Sequence, residues 1–186
     1  TYEDSNQEYK TKFNSIIQKQ INHLINEIKR SDWIDDKMIG CAAIILTGLS
    51  FHDKSGYLDF GLNLLKKIIK FSFDSEGFPK SRSIRQLNFY LKYFVLIREW
   101  LKESQNDIPE YIDEAIYYLG QAYSLIFQNF KKNILFNGNN ETNNNDFDNY
   151  LKRYGYKFKN ENNEVAGYSI LKNKKNALIM DIGPSP

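Results

Sequence analysis

Residues 166–182, AGYSILKNKKNALIMDI, decide how the chain is read. Two β-compatible runs, Ala166–Leu171 and Asn176–Ile182, flank the polar stretch Lys172-Asn173-Lys174-Lys175, which is the pattern of a hairpin. A lone hairpin is marginally stable, so these strands call for a larger sheet, which the pattern places beyond Pro186. Everything before them is of another kind.

Upstream, apolar residues recur at three- and four-residue steps, the mark of amphipathic helices. Tyr9, Phe13, Ile16, Ile17, Leu24, Ile25 and Ile28 draw one long helix. Ser31 and Asp32 offer a cap for a second, from about Trp33 to Phe51. Its middle, Met38 to Leu46, is apolar on nearly all sides, which predicts an inner-layer helix with Gly40 and Gly48 as points of close approach. A third helix carries Tyr57, Leu58, Leu62, Leu64, Leu65, Ile68 and Ile69. The loop Asp74-Ser75-Glu76-Gly77-Phe78-Pro79-Lys80 then stops it, since Gly and Pro two residues apart prevent a restart. A fourth helix spans about Ser83 to Lys102. Pro109 suits the first turn of a fifth, running through Phe130. An Asn-rich stretch, 137–149, reads as a linker or surface loop, and a short helix over 146–154 precedes Gly155. The short connections predict antiparallel helical hairpins. No fixed period marks a repeat array.

The chain of 186 residues is 41% hydrophobic and 15% aromatic, enough for a packed core. A net charge of +2 with mixed signs argues against a nucleic-acid binder. The longest uncharged apolar run, Met38 to Phe51, is shorter than the roughly 20 residues a membrane span needs. One cysteine, Cys41, and two histidines, His23 and His52, leave no disulfide framework and no Cys- or His-rich metal centre. Cys41 reads as an inert core thiol, and both histidines as surface residues. No metal site and no cofactor motif is visible: there is no P-loop, dinucleotide fingerprint, zinc-protease motif or serine elbow. With Thr1 in first position, the true N-terminus is expected to lie upstream.

Lys80, Arg82 and Arg85 cluster at a helix start, where backbone N–H groups and cations together can hold a carboxylate or sulfate. They are the substrate-binding candidates, weighed against a solvated basic turn. Asp35 and Asp36 read as first-turn acids favoured by the helix dipole. Trp33, Trp100 and most tyrosines fall at helical spacing and read as core or core edge.

Glu76-Gly77-Phe78-Pro79-Lys80-Ser81-Arg82-Ser83 after helical hairpins, a polar linker, then Gly167-Tyr168-Ser169-Ile170-Leu171 and Leu178-Ile179-Met180-Asp181-Ile182-Gly183-Pro184-Ser185-Pro186 together resemble the heparinase II/III family of polysaccharide lyases. The resemblance covers nearly the whole chain. It implies a mainly α fold: residues 1–160 as the end of an incomplete α/α toroid, and 161–186 as the start of an antiparallel β-sandwich. It implies a bacterial, periplasmic protein acting on uronate-containing acidic polysaccharide by β-elimination, in which a Tyr or His takes the proton beside the sugar carboxylate. Gln86 stands where the family tyrosine would be, and Gln cannot exchange a proton at neutral pH. Tyr90, one turn on, is the alternative hydroxyl, weighed against a core-edge aromatic. Asp35 and Asp36 fall near the family's Asn/His position, and its sandwich histidine would lie after Pro186. Three expectations follow: a lyase inactive as this fragment, a non-catalytic glycan-binding or glycan-processing relative, or a helical interaction scaffold. The oligomeric state is left open.

Overall fold

The computed structural model describes residues 7–51, 55–127, 136, 145–160, 162–173 and 175–183. These form six α-helices and a small antiparallel sheet: α1 (Gln7–Arg30), α2 (Ile34–Ser50), α3 (Ser55–Ser72), α4 (Ile84–Glu103), α5 (Glu110–Phe127), α6 (Asn145–Arg153), β1 (Glu164–Val165), β2 (Tyr168–Lys172) and β3 (Ala177–Asp181). His52, Lys174, Pro184–Pro186 and most of the Asn-rich stretch lie outside the described residues. No described helix is long and apolar enough to cross a membrane. The chain divides into two compact units, Thr1–Ile68 and Ile69–Pro186.

In the first unit the stripe of α1 buries Ile21 and Ile28 against Ile44, with Leu24, Tyr57, Phe60 and Leu64 around them. A Cβ added at Gly40 would stand 2.3 Å from Ile28 Cδ1, and one at Gly48 only 2.5 Å from the Leu58 backbone nitrogen. Both glycines are the points of close approach that their positions predict. Cys41 is fully buried and its Sγ–H donates to the Gly61 carbonyl at 3.1 Å. Burial pushes its pKa up to about 12, so the thiolate is scarce and the thiol inert. Two expectations need correction. Trp33 is 76% exposed, not core: it precedes α2 as the N-cap residue, ahead of the apolar stripe, and neither Ser31 nor Asp32 takes that position. Ile39 and Leu46 are also exposed, so α2 is covered on most sides but not all round.

In the second unit α4 and α5 bury a shared apolar seam, with Leu87, Leu91, Phe94, Leu101, Ile112, Leu119, Tyr123 and Ile126 at or near zero exposure. Ser83 caps α4, its Oγ accepting the Gln86 N–H. Pro109 supplies the carbonyl that the Ile112 N–H meets at 2.9 Å. The sheet has the order β1-β2-β3. Its β2–β3 pairing runs Tyr168↔Asp181 to Lys172↔Ala177, and Asn173 Oδ1 closes the turn by accepting the N–H groups of Lys175 and Asn176 at 2.8 Å each.

Strand β1 is absent from the sequence pattern, which runs Ala166 to Leu171 as one strand. Val165 pairs with Tyr168, leaving the two-residue loop Ala166-Gly167 with φ of 49° and 77°. Positive φ at both central residues is the type I′ requirement for a tight hairpin. Asn-Gly signals such a turn. Ala-Gly does not, because an alanine Cβ disfavours the left-handed region.

Candidate functional site

The three cations expected to share one anion site point to different surroundings. Arg82 is 7% exposed and sits at φ 53°. Its Nε donates to the Ala166 carbonyl at 3.0 Å and one terminal nitrogen to the Gly167 carbonyl at 3.3 Å. The same nitrogen pairs with Asp181 of β3. Tyr168 lies under the guanidinium, 5.0 Å from its ring centroid, and donates its hydroxyl to the Arg82 carbonyl at 2.7 Å. The guanidinium therefore serves the sheet. It holds the Ala166-Gly167 turn in its strained geometry and ties β3 to the loop before α4. Arg85 is exposed on the first turn of α4. Lys80 lines a pocket.

That pocket, of about 460 Å³, is walled by Ile69, Lys70 and Phe73 at the end of α3, by Asp74, Ser75, Gly77 and Lys80 of the loop, and by Tyr111, Glu114, Ala115 and Tyr118 of α5. The α5 residues stand at i, i+3, i+4 and i+7, so the helix presents them as one stripe. The buried stripe of the same helix is Ile112, Ile116, Leu119 and Tyr123. Lys80 Nζ donates to the Lys70 carbonyl at 3.4 Å, which keeps its ammonium beside the end of α3. The loop is fixed by its own hydrogen bonds. Asp74 Oδ1 accepts the N–H groups of Glu76 and Phe78, both at 2.9 Å. The Asp74 N–H meets the Phe78 carbonyl at 2.9 Å, and the Lys80 N–H meets that of Ser72 at 2.8 Å. Gly77, at φ 75°, passes so near Tyr118 that an added Cβ would stand 2.5 Å from its Cβ.

Two lysines and two carboxylates face this space with tyrosine faces beside them. Such a lining can pair ammonium groups with an anion, accept hydrogen bonds from hydroxyls at its carboxylates, and set tyrosine side chains beside an apolar surface. Sequence reasoning reached Lys80 and missed the rest. The α5 stripe Tyr111, Glu114, Tyr118 was the available signal, an aromatic-polar face beside an apolar one.

The expected proton-transfer residues lie elsewhere. Tyr90 has no exposed surface and packs edge-on to Phe73 at 5.0 Å, which is the core position weighed against its catalytic use. Gln86 sits on the first turn of α4, its carbonyl oxygen accepting from Ser81 Oγ. A second polar cluster joins α4 to the segment after α6. Glu99, 3% exposed, accepts from the Tyr156 hydroxyl at 2.6 Å and from Arg98 at 3.2 Å, while Arg98 also grips Asp113. Burial first, and then the bond to Glu99, raises the Tyr156 pKa. Burial likewise raises that of Tyr123, which donates to Asp148 at 2.7 Å. A phenol held above its ordinary pKa keeps its proton at neutral pH and is a poor base. Both are hydrogen-bond donors that fasten α6 and the following segment. Among the described residues no three of His, Cys, Asp and Glu converge as metal ligands. His23 is exposed on α1, and Asp35 and Asp36 lie in the first turn of α2.

Compared with protein-family models, curated proteins and solved structures, the chain gives no significant match.

Proposed function

We propose that the chain is part of a heparinase II/III-like protein whose second unit binds uronate-containing polysaccharide without cleaving it. On this reading the helices belong to an α/α toroid and the three strands begin an antiparallel β-sandwich. The observation that carries the binding function is the pocket between α3, the 74–80 loop and α5, where Lys70 and Lys80 stand with Tyr111 and Tyr118. The case against turnover within this chain rests on Gln86, which cannot carry a proton, and on Tyr90, which is sealed in the core.

Calorimetric titration with oligogalacturonate tests it. Lys80→Ala weakens binding about five- to tenfold, the loss of a charge-assisted contact of roughly 1–1.4 kcal/mol, and Tyr118→Ala weakens it by a similar factor. Arg85→Ala leaves affinity unchanged. Affinity lost with Arg85 and kept without Lys80 and Tyr118 would move the site to the start of α4. The second reading is a lyase, supported by the loop and closing motifs of the sequence. It requires ultraviolet absorbance from an unsaturated product to grow when the intact parent protein is mixed with uronate polysaccharides, and the binding-only reading requires none.

A further inference from the structure

We infer that Arg82 is a positioning residue for the pocket, so that ligand occupancy there and docking of the three-stranded sheet are thermodynamically coupled through the Asp74–Arg82 loop. The inference rests on the glycan-binding reading for its ligand arm, and its structural arm is independent.

One loop faces two ways. Asp74, Ser75, Gly77 and Lys80 line the pocket. Glu76, Phe78 and Arg82 serve the sheet: Glu76 Oε2 accepts the Ala166 N–H at 3.4 Å, the Phe78 ring lies 6.2 Å from that of Tyr168, and Arg82 holds Ala166, Gly167 and Asp181. Consecutive residues are thus divided between two functions across a single backbone. That backbone is stiff. Asp74 bonds Glu76, Phe78 and Gly77, the Phe73–Pro79 bridge spans the loop, and the Arg82 N–H meets the Pro79 carbonyl at 2.8 Å. A displacement at Arg82 is passed to Lys80 and Gly77 because no soft joint lies between them. The packing is tight at both ends: a Cβ at Gly77 would strike Tyr118, and one at Gly183 would stand 2.6 Å from the Arg82 guanidinium. Physical continuity between two sites permits coupling, and linkage makes it reciprocal. A docked sheet holds Lys80 and Gly77 in place for the ligand, and a bound ligand holds Glu76 and Arg82 in place for the sheet.

Asp181→Asn tests this from the sheet side, since Asp181 lies outside the pocket. Hydrogen exchange without ligand is the first readout. The variant speeds exchange at the Gly77, Phe78 and Lys80 amides about tenfold, while Leu91 and Leu119 amides in the helical core keep their rates. Unchanged exchange at the three loop amides overturns the coupling, whether or not the sheet loosens. Equal acceleration in the helical core marks general destabilisation and overturns it too. Should Asp181→Asn fail to fold, Glu76→Gln carries the same readout. The second arm adds oligogalacturonate. It slows exchange at Ile170 and Ile182 in the unsubstituted chain, and Asp181→Asn lowers its affinity fivefold or more, at the low end of typical coupling. Equal affinities for both chains overturn the coupling. If the unsubstituted chain binds no uronate oligomer, the glycan reading falls, and the loop amides alone decide the coupling.

Discussion

Arg82 stands in the sequence between Ser81 and Ser83 as one of three cations near a helix start, and nothing within ten residues of it announces Asp181 or Ala166. Its partners lie more than eighty residues away, so its role is a tertiary fact that no local pattern encodes. Lys80 was legible because a cation beside a Gly-Pro loop is exposed under almost any fold. Removing the Arg82 side chain takes the guanidinium away from Asp181 and from the Ala166 and Gly167 carbonyls and vacates the face of Tyr168. Breaking a buried pair costs about 3–5 kcal/mol. Asp181 keeps 28% of its side-chain exposure, so Arg82→Ala is expected at the lower end, near 3 kcal/mol, in the urea midpoint of the second unit. Alkaline pH acts on other residues. Burial raises Tyr150 from 10.0 to about 12 and Cys41 from 9.0 to about 12. A raised folded pKa means the native state holds the proton longer than the unfolded chain. Their stabilisation is therefore complete below pH 9 and is lost as pH climbs toward 12. Urea midpoints measured at pH 8, 10 and 11 fall in that order, and a flat series contradicts the burial of both groups.

At the level of elements, the helices were the legible part, because a 3.6-residue period survives in any window long enough to hold two turns. Ser83, Pro109 and Gly155 marked their ends for local reasons. The sheet was legible as a hairpin between β2 and β3, where Asn173 and the lysines break two apolar runs. Strand β1 was not, since Ala166-Gly167 lacks the residues that signal a type I′ turn and distant partners, Arg82 and Glu76 among them, hold it there. This leaves an identifiable defect in the sequence. Asn tolerates positive φ far better than Ala, so Ala166→Asn is expected to stabilise the second unit by roughly 1 kcal/mol. The urea midpoint rises with an unchanged slope, and a lowered midpoint would show that the Ala166 side chain has a packing role beyond its backbone angle.

For the molecule as a whole, no described helix is long and apolar enough to cross a membrane, and the resemblance supplied a ligand class. The site itself did not come from that resemblance. It depends on the end of α3, a seven-residue loop and one stripe of α5 meeting around one space, and sequence separation conceals that meeting. On the proposed reading, this space receives a uronate ring and does not break it. The decisive experiment titrates the isotopically labelled chain with oligogalacturonate and records protein amide and sugar proton spectra on the same samples. Shifts are expected at Lys70, Lys80, Tyr111 and Tyr118, with no vinyl proton of an unsaturated uronate appearing over hours. Shifts centred on Arg85, no shifts at any concentration, or growth of the vinyl signal would overturn that reading.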